Sequence, residues 1–270
     1  MNIMVIGAHP DDCEFFAAGT AVKFVKYGHR VKFVSVTNGD AGHMTLGCEE
    51  LAGIRRQEIA EADDLLGVEW CILDNHDGQL SPDITIREEL IRLIRQWNTD
   101  IVMSHRPWDY HPDHRNTAIL VQDTAYLVIV PNICPDTPAL KHNPVYLYLH
   151  DEFKEPVPFR PDVIVPIDDV FPIKVKALHI MKSQFYEWLP YTFGTLGSVP
   201  ADDPQRVAWL ESVLRAWMKN PFAIETEAMY GIERAGKIEM IEAFQVCPFG
   251  RQLPHGELRA LFPFLPESAE

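Results

Sequence analysis

The chain has 270 residues, 47% of them apolar, and a formal net charge of −15. This length allows one large domain or two small ones, and the apolar share allows a substantial core. The acidic charge argues against a nucleic-acid partner, because proteins that bind phosphate backbones need basic surface. The five cysteines include no Cys-x-x-Cys pair, which argues against a four-cysteine zinc site and against a disulfide framework.

Targeting signals are absent from the sequence pattern. The first residues lack the basic region and the cleavage site of a signal peptide, and no apolar stretch is long enough to span a bilayer. We therefore expect a cytoplasmic protein with reduced thiols and no membrane span. The apolar segment LRALFPFLP at 258–266 is expected to pack on its own domain or, in a homo-oligomer, on another subunit.

Predicted strands and helices alternate through the first half of the chain. Short apolar runs indicate strands at 2–8, 31–37, 69–74 and 100–105. Helical spacing of apolar residues indicates helices at 19–28, 49–67, 85–97 and 114–129. Thr85 and Glu88 form a capping-box pattern at the start of the third helix. The alternation predicts a Rossmann-like α/β fold, with a mostly parallel sheet covered by helices on both faces.

The pattern changes after Pro131, where a proline-rich loop begins. Further strands are predicted at 145–150 and 162–167, and helices at 172–188 and 205–220. No internal repeat or low-complexity linker divides the chain. The simplest organisation is one domain over 1–250 with a C-terminal elaboration and tail at 251–270. We expect substrate specificity to come from the loops after Pro131 and around 192–204.

Two clusters of histidine and aspartate follow predicted strands. HPDDCE at 9–14 follows the first strand, and HPDH at 111–114 follows the fourth. Ligands of open α/β sheets bind beyond the carboxyl ends of the strands, so the two clusters are expected to share one pocket. Either cluster alone is more often a capping or turn feature. Together they indicate a catalytic metal site, which needs three protein ligands and an open position for water.

The motifs resemble those of the LmbE-like, or PIG-L, family of zinc-dependent N-deacetylases. AHPDDCE fits the signature AHPDDxE, and TNGDAG fits the family loop T-[DN]-G-x-x-G. IRRQEIAEADDLLGV fits the family helix that contains R-x-x-E, and YHPDHRNT fits the second metal motif. KVKALHIMKSQ and AGKIEMIEAFQ match more weakly. The resemblance extends to about Val246, and the two histidine motifs are its most specific part.

The resemblance implies a role for each matching residue. The implied metal ligands are His9, Asp12 and His114. They would hold Zn²⁺, or Fe²⁺ in cells, because two histidines and a carboxylate suit both ions. The implied general base is Asp11. His111 would stabilise the oxyanion or protonate the leaving amine, with Asp113 as its orienting partner, and the helix arginine Arg55 would reach substrate oxygens.

Four other residues near the motifs have more than one interpretation. Cys13 is expected to pack in the core rather than bind metal. Glu14 fits either a ligand or a capping and supporting residue. Asp40 either contacts the substrate or a ligand histidine, or simply forms a turn. Tyr110 precedes His111 directly, at a spacing that differs from the catalytic tyrosine of some relatives.

The resemblance implies a deacetylase acting on a small-molecule N-acetylated amino sugar or related glycoside. Two alternatives stay open. A cysteine-conjugate amidase would use the same metal site on a different amide. A non-catalytic carbohydrate-binding protein would keep the fold, although it would have no need for a base at Asp11. The sequence rejects a dinucleotide cofactor, since it lacks G-x-G-x-x-G after the first strand and places carboxylates there instead.

Overall fold

The computed structural model describes residues 1–265, in which seven strands form one sheet. The strands are β1 (Asn2–Gly7), β2 (Arg30–Thr37), β3 (Glu69–Asn75), β4 (Ile101–Ser104), β5 (Val145–Leu149), β6 (Val163–Pro166) and β7 (Ile241–Val246). Their order across the sheet is β3-β2-β1-β4-β5-β7-β6. All neighbouring pairs are parallel except the two that involve β7, which is antiparallel to β5 and β6.

Helices follow most of the strands. They are α1 (Asp12–Lys26), α2 (Cys48–Leu66), α3 (Ile84–Gln96), α4 (Pro112–Leu127), α5 (Phe171–Ile180), α6 (Leu189–Thr192), α7 (Asp203–Trp217), α8 (Ala223–Tyr230), α9 (Ile232–Ala235) and α10 (His255–Ala260). A π-helix covers Ser183–Trp188 and a 3₁₀-helix covers Leu196–Ser198. Among the described residues, no helix is both long and apolar enough to cross a membrane. The predicted α/β fold is confirmed.

The alternation of side chains along β1 explains why helices cover both faces of the sheet. Ile3 and Val5 belong to a core cluster shared with α1, α2 and α5. Met4 and Ile6 point to the other face and belong to a second cluster, shared with α3 and α4. Because successive side chains of a strand point to opposite faces, a strand buried on both sides reads as a continuous apolar run.

The strand order reverses beside β1, and this reversal positions the site. β2 lies on one side of β1 and β4 on the other, so the chain turns in opposite directions after these strands. Ile6 of β1 pairs with Ser104 of β4, so the two strands end at nearly the same level. A crevice opens at such a switch point, beyond the carboxyl ends of the strands. The two histidine motifs follow β1 and β4 and therefore meet there.

Two local predictions were wrong. The cap of α3 is Asp83, whose carboxylate accepts the Ile86 N–H at 2.9 Å, rather than a capping box of Thr85 and Glu88. The helix expected at 172–188 is interrupted, because the backbone at Met181 (ψ 63°) leaves the helical region between α5 and the π-helix.

The sequence analysis also missed β7, the strand that makes the sheet mixed. Beyond it, Leu258 and Phe262 pack in the same core cluster as β1. The domain boundary at 250 stays a prediction, and the end of the predicted tail, 266–270, lies outside the described residues.

Candidate metal centre

Three side chains from the two motifs converge in the crevice. His9 and Asp12 follow β1, and His114 lies in the first turn of α4. His9 Nδ1 is 3.2 Å from His114 Nε2 and 3.5 Å from Asp12 Oδ2. His114 Nε2 is 3.4 Å from Asp12 Oδ1. The histidines and the carboxylate predicted as metal ligands thus face one another.

Asp12 is held in place by its own turn. Its Oδ2 accepts the backbone N–H groups of Ala8 and His9, each at 2.8 Å, and lies 3.1 Å from His105 Nε2. The chain passes very close here, since a Cβ on Gly7 would lie 2.6 Å from the Asp12 Cβ. Burial opposes the ionised carboxylate, but His114 and His105 outweigh it and hold the pKa of Asp12 well below its ordinary value.

Each of the two histidines presents its other ring nitrogen to a carboxylate. His114 Nδ1 is 3.1 Å from Asp109 Oδ2. His9 Nε2 is 3.2 Å from Asp77 Oδ1 and 3.4 Å from Asp113 Oδ2. Metal-ligating histidines commonly pair their outer N–H with a carboxylate, which fixes the ring and leaves the inner nitrogen free for the ion. Both rings have that arrangement.

The donor set fits a divalent ion such as zinc. Bonds of about 2.0–2.1 Å in a tetrahedral site place neighbouring donors roughly 3.3–3.4 Å apart. His9 Nδ1 and His114 Nε2 are 3.2 Å apart, and they approach different oxygens of Asp12, with His9 Nδ1 3.5 Å from Oδ2 and His114 Nε2 3.4 Å from Oδ1. His111 also lies near, since its ring nitrogen and those of His9 and His114 lie within 4.8 Å of one another.

Asp11 lies beside this cluster and contacts a buried arginine. Its Oδ1 is 3.0 Å from Arg55 Nη2, and the arginine is only 2% exposed. Burial raises the pKa of the Asp11 carboxyl, and the Arg55 charge opposes that rise. Arg55 also donates to the carbonyls of Pro10 and Gly39, each at 3.2 Å. Arg55 therefore connects the loops after β1 and β2, and its contact with the Asp11 carboxylate fixes the position of that side chain.

Gly39 makes that arrangement possible. Its φ is +68°, and a Cβ there would lie 2.5 Å from Arg55 Nη1 and 2.8 Å from Pro10 Cδ. A residue with a side chain would therefore be strained in its backbone and would collide with Arg55. The glycine of the TNG loop is explained by this close approach.

His111 is the N-cap residue of α4, and its ring contacts the backbone rather than a carboxylate. His111 Nδ1 accepts the Asp113 N–H at 3.2 Å. The Asp113 carboxylate instead accepts the Gly78 and Leu80 N–H groups and contacts His9. Asp113 is thus placed to orient His9, which differs from the predicted pairing with His111. Burial, followed by the charges of His9 and His114, lowers the pKa of His111.

The PIG-L family model, described as GlcNAc-PI de-N-acetylase, matches residues 4–125, the span that supplies every group described above. The match spans 122 of the 270 residues. The resemblance inferred from the motifs is therefore confirmed.

Similar proteins extend the likeness beyond the PIG-L match. The diacetylchitobiose deacetylase of Thermococcus kodakarensis is 29% identical over 207 residues, which cover 70% of this chain and 74% of that protein. A probable N-acetyl-alpha-D-glucosaminyl L-malate deacetylase 2 of Bacillus anthracis is 24% identical, covering 68% and 81%. The solved structure of N,N'-diacetylchitobiose deacetylase from Pyrococcus horikoshii is 28% identical, with a TM-score of 0.70 and coverage of 92% and 84%.

Asp40, also within the matched segment, supports the site without lining the cavity. Its Oδ2 is 2.6 Å from His76 Nδ1 and its Oδ1 accepts the Asp77 N–H at 3.0 Å. Asp40 is 4% exposed and is not among the described residues that line the cavity. It is placed to hold the loop that carries Asp77, a role that differs from those considered in the sequence analysis, which were contact with the substrate, contact with a ligand histidine, or a turn.

The sequence analysis did not single out Asp77, Asp109 or His105, although all three contact the donor cluster. Asp109 and His105 lie in the segment between β4 and the second motif, so proximity to that motif was an available signal. Asp77 follows β3, and no motif marks it. The structure also shows where Cys13 and Tyr110 lie, two residues that had more than one interpretation in the sequence. Cys13 packs in the core, and Tyr110 lines the cavity and is 72% exposed.

The donor cluster lies in a cavity of about 900 Å³. Residues from the family-matched segment form the wall around the cluster. The rest of the lining comes from later segments, which include His150–Phe153 after β5 and parts of the π-helix, α6 and α7. A cavity of this size can hold a drug-sized or disaccharide-sized molecule.

Proposed function

We propose that this chain is a zinc-dependent N-deacetylase that hydrolyses the acetamido group of an N-acetylated amino sugar or related glycoside. The observation that carries the proposal is the position of Asp11. Its carboxylate lines the cavity, contacts buried Arg55, and lies next in sequence to the metal-ligand candidate Asp12. A binding protein would need the donors or the cavity, but it would have no use for a carboxylate in that position.

His9, Asp12 and His114 would hold the ion. When bound, zinc lowers the pKa of a coordinated water and polarises an amide carbonyl. The surrounding carboxylates Asp77, Asp109 and Asp113 fix the two rings through their outer nitrogens. In this proposal Asp113 is a positioning residue, because it orients the ring of the metal ligand His9.

Asp11 accepts the proton from the water that attacks the acetyl carbon. A carboxylate can do this only in its ionised form, and the Arg55 guanidinium at 3.0 Å favours that form. Because Arg55 also donates to two backbone carbonyls, it holds Asp11 in a fixed orientation toward the cavity. Arg55 is therefore a positioning residue, and its contacts with Asp11, Pro10 and Gly39 already involve both terminal nitrogens of the guanidinium.

His111 donates a hydrogen bond to the oxygen that becomes negative during attack. Its Nδ1 accepts the Asp113 N–H, so a neutral ring carries its proton on Nε2. His111 lines the cavity, where that N–H is available to the developing oxyanion. Asp11 then passes the proton that it accepted from the water to the departing nitrogen, which leaves acetate and a free amine.

The test measures acetate and amine release from N-acetylglucosamine glycosides by zinc-loaded protein, with Asp11→Asn as the inactive control. We expect equal amounts of the two products with wild type. A cysteine-conjugate amide is included, because an amidase would cleave that substrate faster. Binding of the glycosides without any acetate would contradict the proposal and support a carbohydrate-binding protein.

A further inference from the structure

One wall of the cavity is apolar. Its side chains come from α1, from the π-helix, from α6 and the residue that follows it, and from the last turn of α7. We call it the apolar wall, and it consists of Phe15, Phe185, Leu189, Phe193, Ala216 and Trp217. All of these except Phe15 lie outside the segment that matches the PIG-L family.

Aromatic rings connect the apolar wall to the donor cluster in a continuous series. Phe16 contacts His105, the partner of Asp12, at 5.7 Å between ring centroids, and Phe15 follows Phe16 at 5.0 Å. Trp217 lies 6.4 Å from Phe15, and Phe193 lies 5.6 Å from Trp217.

The outer members of this series are open to solvent. Trp217 is 43% exposed and Phe193 is 61% exposed. The series therefore runs from the reaction centre to the mouth of the cavity, and its large apolar surfaces are accessible at the outer end.

The charges of the cavity lining disfavour an anionic substrate group. The described lining contains six carboxylates, which are Asp11, Asp12, Asp77, Asp109, Asp151 and Glu152, and Arg55 is its single guanidinium; it contains no lysine. Arg106 pairs with Asp151 through two 2.6 Å contacts, which leaves five carboxylates. A divalent ion and Arg55 would offset three of the five charges, so a phosphate or carboxylate entering this cavity would be repelled.

We propose that the apolar wall binds an uncharged, apolar aglycone of the N-acetylated sugar, such as an aryl group. This inference rests on the deacetylase function proposed above and names its substrate class. The sugar would occupy the polar side of the cavity, and the aglycone would extend along Phe15, Trp217 and Phe193 toward the mouth.

The composition of the wall favours an apolar group over a second sugar. Phenylalanine, leucine and alanine side chains offer no hydrogen bonds, so most sugar hydroxyls placed against them would lose their bonds to water without replacement. An aryl ring loses none, and it gains from burial and from edge or offset contacts with the aromatic rings.

The experiment compares kcat/KM for the phenyl and methyl glycosides of N-acetylglucosamine, in both anomers, with zinc-loaded protein. The two glycosides differ only in the aglycone. We expect at least one phenyl anomer to exceed its methyl counterpart about tenfold, which corresponds to 1.4 kcal/mol. N,N'-diacetylchitobiose and N-acetylglucosaminyl malate test a sugar and an anion in the same position, and both should react more slowly than the phenyl glycoside.

Two variants and one control test whether the apolar wall causes the preference for the phenyl glycoside. Trp217→Ala and Phe193→Ala should each reduce the phenyl-to-methyl ratio at least threefold. Because Trp217 also packs against Phe15, the exposed Phe193 keeps the test valid if the first variant folds poorly. Ile232→Ala removes an apolar side chain that is 79% exposed and lies outside the cavity lining, and it should leave the ratio unchanged.

The outcomes separate this inference from the proposed function. Equal rates for phenyl and methyl glycosides, or faster reaction of chitobiose or the malate glycoside, would overturn the inference while the deacetylase stands. Absence of acetate from every substrate would overturn the deacetylase. In that case calorimetric binding of the phenyl and methyl glycosides to the protein still tests the wall, and equal affinity would refute it.

Discussion

Replacing Glu242 with glutamine should destabilise the protein strongly, because this residue neutralises a buried lysine. Glu242 is 3% exposed and lies in β7, and Lys174 of α5 is fully buried. Lys174 Nζ donates to Glu242 Oε1 at 2.6 Å and also to the Phe15 carbonyl. The pair therefore joins the missed strand β7 to α5 and to the helix that follows the first metal motif.

The size of the effect follows from what the carboxylate accepts. Besides Lys174, Glu242 accepts the Gly19 N–H at 2.9 Å and the Thr20 N–H at 2.7 Å, using both oxygens. An amide has one acceptor oxygen, so at least one buried N–H loses its partner in Glu242→Gln. Removing one member of a buried ion pair commonly costs about 3–5 kcal/mol. We expect a loss in that range, a large part of the ~5–15 kcal/mol that stabilises an ordinary domain.

The same pair predicts a dependence on pH. Burial lowers the pKa of Lys174 in the folded protein, although Glu242 opposes the shift. Between that lowered pKa and the unfolded value of about 10.4, the unfolded chain binds more protons, so the free energy of unfolding rises with pH. Without the Glu242 charge the pKa of Lys174 should fall further. The free energy of unfolding of Glu242→Gln should therefore rise between pH 7 and 9.5, and this rise should be larger than that of wild type.

Urea unfolding followed by circular dichroism measures these differences. Glu211→Gln is the matched control, since it removes the exposed pair with Arg215 at 2.9 Å and should change stability by less than about 1 kcal/mol. The double variant Lys174→Met, Glu242→Gln should recover part of the loss, because it leaves no buried unpaired charge. A cost below about 1 kcal/mol for Glu242→Gln would refute the argument, as would a double variant less stable than the single one.

Three further predictions concern the site and its surroundings. Asp11→Asn should retain the ion by elemental analysis and lose about 10²–10⁴ in kcat, the usual cost of removing a general base, and near-normal turnover would remove Asp11 from the mechanism. Gly39→Ala should lower kcat by displacing Arg55 while leaving zinc content unchanged; a crystal structure with Arg55 still against Asp11 would contradict that reason. Burial lowers the pKa of His150 to about 4, so the free energy of unfolding should fall as pH drops from about 6.5 toward 4, and His150→Gln should remove that part of the loss.

The parts of the fold that are set by local sequence could be predicted. β1 and β4 are short apolar runs, and a histidine motif follows each of them within a few residues, so the meeting of the two motifs at one edge follows from a parallel sheet. β7 was missed because it carries Glu242, a charged residue within a buried strand. Its burial depends on Lys174, which lies 68 residues away in the sequence, and strand patterns alone do not reveal such a partner.

The donor residues of the site could be predicted, but the contacts around them could not. HPDD and HPDH are compact motifs, whereas Asp77 reaches His9 from the end of β3, an element that no motif marks. The roles predicted for Asp40 and Asp113 were reasonable from proximity in sequence. Their carboxylates bind the 76–80 loop instead, because that loop offers backbone N–H groups at Asp77, Gly78 and Leu80.

The central claim is that His9, Asp12 and His114 hold one divalent ion on which deacetylation depends. The most direct measurement is a titration of chelator-treated protein with zinc, in which acetate release from the phenyl glycoside and bound zinc per chain are followed together. We predict that activity is lost on chelation, returns in proportion to bound zinc, and reaches a plateau at one ion per chain. Full turnover by metal-free protein, or full zinc occupancy in Asp12→Ala and His114→Ala, would contradict the account.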